Sequence, residues 1–171
     1  GNLGGVYEID SPRNPINYYG ITKKTGEDFV LGLVQDHLIV RPTILYGFNN
    51  TGDKNNFVKN VIKKLEMGDI VKLDNQRKKY PLLIDDVAHG LVRLINTDSQ
   101  GVFHMSGPDE VTKFQFGKTV AKVFSLDEKL IVGKDLRERN RPHKIRFSDE
   151  SMVGMHKLIE GLETVRSQMN E

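Results

Sequence analysis

Apolar positions along this chain switch between two periods, and the switching predicts strands interleaved with helices. Phe29, Val30 and Leu33 continue one side of a helix expected over residues 15–34, with Asn14 as its cap and Pro15 at its first position. His37-Leu38-Ile39-Val40-Arg41-Pro42 is a short apolar run closed by proline, the pattern of a buried parallel strand. Ile44-Leu45-Tyr46-Gly47 then ends it in a turn. Residues 48–56 form a polar loop rich in asparagine and aspartate. Phe57, Val58, Val61, Ile62 and Leu65 recur at helical spacing until Gly68 stops them. Short strands are expected over residues 70–73 and 81–84, followed by a helix capped by Asp85 in which Val87, Leu91, Leu94 and Ile95 share a face. Gly101-Val102-Phe103-His104-Met105 reads as another buried strand. Thr112 caps a helix whose Phe116, Val120 and Phe124 lie four apart, and Leu158, Leu162, Val165 and Met169 mark one side of a last helix over 157–169.

Strands that alternate with helices in this way define an α/β fold. Three glycines, Gly20, Gly26 and Gly32, fall inside the first helix, where each costs up to ~1 kcal/mol against alanine. Their spacing of six predicts close approach of the backbone to a neighbour or ligand. Neither an internal repeat nor a linker divides the 171 residues, which suit one domain or one large piece of a larger one.

A hydrophobic share of 37% and a charged share of 28% fit a packed core rather than disorder. The 25 basic and 23 acidic residues leave a net charge of +2, too small for a strongly basic nucleic-acid binder. Lacking cysteine, the chain has no disulfide framework and no thiolate metal site, which suits a cytoplasmic setting. No apolar run approaches the roughly 20 residues that cross a bilayer. The opening Gly1-Asn2-Leu3-Gly4-Gly5 has no signal-peptide character and reads as the middle of a longer protein.

The candidate chemistry lies at Tyr19 and Lys23. Two residues four apart on a helix project from one face, a turn from each other. An ammonium beside a phenol stabilises the phenolate and lowers a pKa that is ordinarily about 10. Such a tyrosine can hand a proton to a carbonyl oxygen or take one from an alcohol, as hydride transfer to or from a nicotinamide requires. In a lysine-rich chain this spacing also arises by chance, so its meaning comes from its neighbours. Asn14-Pro15-Ile16-Asn17-Tyr18-Tyr19-Gly20-Ile21-Thr22-Lys23, followed by Gly26-Glu27, closely resembles the catalytic helix of extended short-chain dehydrogenases/reductases. Ile39-Val40-Arg41-Pro42 with Leu45-Tyr46-Gly47 resembles that family's next sheet strand. Pro81-Leu82-Leu83-Ile84-Asp85-Asp86-Val87-Ala88 resembles its substrate-domain helix entry, and Gly101-Val102-Phe103-His104-Met105-Ser106-Gly107 a later strand. In this order the combination is most similar to the dTDP-4-dehydrorhamnose reductase branch, which also includes the regulatory beta subunit of methionine adenosyltransferase.

The resemblance implies the C-terminal part of a Rossmann-like, doubly wound parallel sheet plus a small α/β substrate-binding subdomain. Residues 1–56 and 82–105 would be the sheet side, and 57–81 and 106–171 the substrate-binding portion. It implies Tyr19 as proton donor and Lys23 as its partner, both touching the NADP or NAD cofactor. Pro42, Thr43 and Leu45 would line the nicotinamide end, and a nucleotide-sugar substrate would meet Ile44, Gln76 and Arg141. In the rhamnose reductases an aromatic residue that contacts the sugar commonly stands where this chain has Ile44, a departure that bears on the sugar and not on the scaffold. The implied activity is NAD(P)-dependent reduction of a nucleotide-linked 4-keto sugar; the alternative is a non-catalytic regulatory or binding subunit on the same scaffold. A homodimer stays open.

These enzymes cradle the dinucleotide in a glycine-rich strand-to-helix turn. Gly1, Gly4 and Gly5 have no strand before them and no helix after, and are rejected as that cradle. The serine or threonine that completes the catalytic set would lie upstream of Gly1. The chain is therefore expected to lack the cofactor-binding half and, by itself, to bind a dinucleotide poorly. Among other candidates, Arg137, Arg139, Arg141, Lys144 and Arg146 cluster around Pro142. Arg141 would suit a diphosphate through bidentate bonds, while a solvated surface loop explains the cluster equally. Arg77, Lys78 and Lys79 invite the same two readings, and Gln76 is either near substrate or a surface glutamine. His37, His89, His104, His143 and His156 have no metal-like spacing and read as structural or surface residues. Asp85 and Asp86 read as helix cap and dipole complement.

Overall fold

The computed structural model describes residues 5–48, 56–136, 145–147 and 152–170. Strand β1 (Gly5–Tyr7) leads through a proline-bearing turn into helix α1 (Tyr18–Leu33). The helix starts later than its sequence suggested. Asn17, not Asn14, is the cap: it is extended, and its Oδ1 accepts a hydrogen bond from the Gly20 amide at 2.8 Å. Pro15 instead folds back against the first turn, where a Cβ on Gly20 would come within 3.0 Å of the Pro15 Cβ. The expected close approach thus holds at Gly20 alone, because Gly26 and Gly32 face open space.

Strands β2 (Leu38–Pro42) and β3 (Leu45–Tyr46) follow, then helix α2 (Phe57–Glu66), capped by Asn56 and burying Val58, Val61, Ile62 and Leu65. Of the polar loop expected over 48–56, residues 49–55 lie outside the described residues. Strands β4 (Val71–Asp74), β5 (Lys78–Lys79) and β6 (Leu82–Leu83) precede helix α3 (Ile84–Asn96). Asp85 is not the cap of α3. That position belongs to Leu83, which makes no side-chain cap bond, while Asp85 and Asp86 both sit in the first turn where their charge complements the helix dipole. Strand β7 (Gly101–Ser106) and strand β8 (Val111–Thr112) lead into helix α4 (Lys113–Val123). The Thr112 cap is a full capping box, with Gln115 reaching back to the Thr112 amide at 2.8 Å. A 3-10 turn at Glu128–Leu130, strands β9 (Ile131–Lys134), β10 (Ile145–Phe147) and β11 (Met152–Val153), and helix α5 (Leu158–Asn170) complete the order.

Parallel pairing dominates. A three-stranded sheet in the order β11-β7-β2 is parallel throughout, with β2 and β7 in register from Leu38↔Gly101 to Pro42↔Met105. β1–β10, β3–β6 and β4–β9 are also parallel, and only β5–β8 is antiparallel among the described residues. Parallel neighbours need long crossovers, which the intervening helices supply, so the mixed α/β class follows from the connectivity.

The largest apolar core forms where α2, α4 and α5 meet β3, β4, β6 and β9. Tyr46 packs edge-on against Phe116, ring centroids 5.4 Å apart and planes at 74°, and Phe57 packs against Phe116 in a tilted arrangement at 4.7 Å. Each fully buried Leu or Val here, such as Leu162 or Val120, contributes about 1.5–3 kcal/mol by leaving water. Helix α1 is built differently. It buries none of its side chains, and Tyr18, Phe29 and Leu33 are all exposed.

Candidate active site

Tyr19 and Lys23 lie on α1 one turn apart, with the Lys23 Nζ 5.7 Å from the centre of the Tyr19 ring. Tyr19 is 70% exposed. Among the described residues no other side chain engages the Tyr19 hydroxyl or the Lys23 ammonium. The neighbouring Lys24 contrasts with this: its Nζ is tied to Asp28 Oδ2 at 2.8 Å. A phenol and an ammonium side by side, neither committed to a structural bond, suit binding and proton transfer better than fold support.

The inward face of α1, at Gly20, Lys23, Lys24 and Glu27, borders a cavity of about 290 Å³ that reaches Arg41 and His104 on the sheet and the loop from Tyr7 to Pro15. Glu27 anchors this face. Its carboxylate accepts paired hydrogen bonds from Arg41, Nε at 2.9 Å and Nη2 at 2.7 Å, and a third from Arg13 Nη1 at 3.2 Å. Partial burial pushes the Glu27 carboxyl upward, but the hydrogen bonds and charges of Arg41 and Arg13 outweigh it and hold the group below the usual glutamate range. Arg41 Nη1 also donates to the Ile9 carbonyl at 3.1 Å and faces the buried His104 Nε2 at 3.3 Å. Arg13 Nη2 bridges on to Asp28 at 2.7 Å.

Tyr19 does not border that cavity, and neither do the other described residues expected at the site, Pro42, Thr43, Ile44, Leu45 and Gln76. Pro42 ends β2, exposed. Thr43 is committed to the fold: its amide donates to the Met105 carbonyl at 2.9 Å and its hydroxyl to the Tyr80 carbonyl at 2.5 Å. The Ile44 carbonyl accepts from the Leu82 amide at 2.9 Å. Leu45 stays exposed while the next residue, Tyr46, turns into the core. Gln76 is exposed in the turn after β4, with its amide nitrogen on the Asn75 side chain at 3.0 Å. Its backbone amide binds Asp74, which also receives the buried Arg77 guanidinium, and Arg77 reaches the Leu136 carbonyl. Arg77 is therefore part of the fold rather than of a solvated basic patch. Arg141 and its basic neighbours over 137–144 lie outside the described residues.

Two groups escaped the sequence reading. The Glu27–Arg41–Arg13 cluster could have been suspected from Arg41 alone, a charge inside an otherwise apolar strand run that must find a partner. Asp86 is not merely a dipole complement: it is buried and holds His156 through both the backbone amide, at 3.0 Å, and Nδ1, at 2.7 Å. That bond fixes the segment entering α5, and no local pattern announces a partner 70 residues away.

Mostly parallel strands crossed by helices, with an exposed Tyr-x-x-x-Lys helix beside the sheet, make this a mixed α/β domain. The chain belongs to the RmlD substrate binding domain family, whose model matches residues 1–168. It is 32% identical over 143 residues to the protein of Haloferax volcanii described as "Probable low-salt glycan biosynthesis reductase Agl14", covering 83% of this chain and 48% of that one. Methionine adenosyltransferase 2 subunit beta of Xenopus tropicalis is 29% identical over 126 residues, 70% of this chain and 37% of its own length. Among solved structures, dTDP-4-dehydrorhamnose reductase of Bacillus anthracis, in complex with NADP, superposes with a TM-score of 0.83 at 26% identity, covering 95% of this chain and 59% of that one. The chain thus spans less than half the length of these two curated relatives. No helix among the described residues is long and apolar enough to cross a membrane.

Proposed function

We propose that the full-length protein carrying this chain is an NAD(P)-dependent reductase of a nucleotide-linked 4-keto sugar. The observation that carries the reading is the uncommitted Tyr19–Lys23 pair on an exposed helix face. Similarity to two proteins named as reductases, one of them solved with NADP, supports it. The residues present fit the nicotinamide end of a dinucleotide: the Tyr19 hydroxyl and Lys23 ammonium can hydrogen-bond a ribose, and Pro42 and Leu45 offer exposed apolar surface after β2. A glycine-rich strand-to-helix turn for the pyrophosphate is not found within the described residues, and Gly5 opens strand β1 instead.

When bound, the cofactor supplies a hydride to the carbonyl carbon. Tyr19 Oη supplies the proton to the carbonyl oxygen, so that the ketone leaves as an alcohol, and the Lys23 charge stands beside the phenol from which that proton departs. Residues 57–81 and 106–171 would hold the sugar nucleotide, with Ile44, Gln76 and Arg141 among its contacts.

The test is oxidation of NADPH and NADH by the full-length protein with nucleotide-linked 4-keto sugars. Tyr19→Phe should lower turnover by roughly 10²–10⁴-fold while the thermal midpoint stays put, since the ring is exposed. A Tyr19→Phe protein as active as wild type defeats the proposal. A second reading, a non-catalytic subunit, draws on the methionine adenosyltransferase beta subunit similarity and on Ile44. Absence of turnover together with stoichiometric binding to a methionine adenosyltransferase would establish that reading instead.

A further inference from the structure

We propose that Glu27 is a positioning residue for the Tyr19–Lys23 pair, acting through its twin hydrogen bonds to Arg41. The inference rests on the reductase reading for its kinetic consequence and on geometry for everything else. Helix α1 buries no side chain, so apolar packing among the described residues does little to fix where it sits. Charge fixes it. Glu27 lies one turn beyond Lys23 on the same inward face, and its carboxylate gathers guanidinium groups from two other segments.

Arg41 is on β2, immediately before the Pro42–Leu45 segment, and Arg13 is in the loop that enters α1. The Glu27 and Arg41 side chains keep only 19% and 20% of their surface exposed, so water competes weakly for the pair. Arg41 cannot drift with the helix, because it is also held by the Ile9 carbonyl and stands against buried His104. The planar two-bond fit specifies orientation as well as distance. The Glu27 carboxylate thereby sets the offset between the proton donor on α1 and the strand end that follows Arg41.

The experiment uses the full-length protein and two measurements. In Glu27→Gln the shape is kept and the charge lost. We expect kcat to fall roughly tenfold to a hundredfold, as for a donor displaced by an ångström, with KM for the sugar nucleotide within about twofold. Amide hydrogen exchange across Tyr18–Leu33 should accelerate, while α2 and α4 keep their protection. Glu27→Asp, which retains the carboxylate, should recover part of kcat. A merely structural residue would lower the folded fraction and leave kcat per folded molecule unchanged. Should Glu27→Gln not fold, Arg41→Lys, which keeps the charge and loses the twin bonds, carries the same test. Unchanged kcat in an active protein, or unchanged exchange in α1, overturns the proposal. If the wild type shows no turnover, the reductase reading fails, and the exchange measurement still decides the role of Glu27.

Discussion

Tyr46 and Gly161 offer a direct test of how the segment after β2 is seated. Tyr46 follows Leu45 and drives its ring into the core against Phe116, so that its hydroxyl rests on α5 at Gly161. A Cβ added at Gly161 would fall 2.1 Å from the Tyr46 hydroxyl oxygen, 3.1 Å from Cζ and 3.4 Å from Cε2. The ring has little room to shift, because it is buried and packed against buried Phe116, which in turn packs against Phe57. Gly161→Ala gains about 1 kcal/mol of helix propensity and incurs up to about 3 kcal/mol of overpacking, so a net destabilisation of about 1–2 kcal/mol is expected. The Tyr46 hydroxyl is buried and finds no hydrogen-bond partner in the described structure. Burial, helped by the negative Asp86, Asp109 and Glu160, pushes its phenol well above the ordinary range and keeps it neutral. Tyr46→Phe should therefore be close to neutral, not the loss of about 1 kcal/mol typical of a bonded hydroxyl. In the Phe background the nearest obstruction to the methyl that Gly161→Ala introduces is a ring carbon at 3.1 Å instead of an oxygen at 2.1 Å, and propensity should roughly balance packing. The assay is a double-mutant cycle on denaturant midpoints at constant m. We expect coupling of about 1–2 kcal/mol; additivity within about 0.5 kcal/mol would refute the packing argument.

Other consequences follow from single contacts. A Cβ at Gly107 would meet the Pro81 carbonyl oxygen at 1.7 Å, and backbone cannot yield as a side chain can; Gly107→Ala should lose more than about 3 kcal/mol, read by thermal unfolding, and a near-normal midpoint would contradict the contact. Burial raises the Asp74 carboxyl, but the Gln76 amide and the Arg77 guanidinium hold it below its ordinary value. A depressed carboxyl stabilises fully above its unfolded pKa of about 4, and that share is lost as pH falls through the lower folded value. Asp74→Asn should therefore be clearly less stable than wild type at pH 7, and the gap should narrow below about pH 4 in acid titrations followed by circular dichroism. A gap that stays constant with pH would show that the ion pair does not contribute.

Much of the fold was legible because local pattern and burial agree. The run Leu38–Pro42 pairs as a parallel strand, and α2 buries four of the five apolar residues its spacing singled out. Thr112 caps α4 because its hydroxyl and Gln115 satisfy one another within four residues. The misses are mostly non-local. β9 is four residues with a glycine, too short to announce itself, and becomes a strand by pairing with β4 across more than fifty residues. One miss is local: Asn14 was expected as the cap, whereas Asn17 takes that place and Pro15 packs against Gly20. The proximity of Tyr19 and Lys23 was readable because a helix brings i and i+4 together whatever else happens. The hydrogen bond from the Thr43 hydroxyl to the Tyr80 carbonyl was not readable, since its partner lies 37 residues on.

The two halves of the described structure are held by different physics, and the division bears on function. Around Phe116 the contacts are apolar, numerous and insensitive to solvent charge, which suits a part that must present a fixed surface. Helix α1 is held instead by a few directional ion pairs running from Asp28 through Arg13 and Glu27 to Arg41. Directional bonds fix an angle where apolar packing fixes a volume. If Tyr19 donates a proton as proposed, it must meet a carbonyl oxygen along one line and needs the angle, and the helix that carries it is the one held by charge and not by oil.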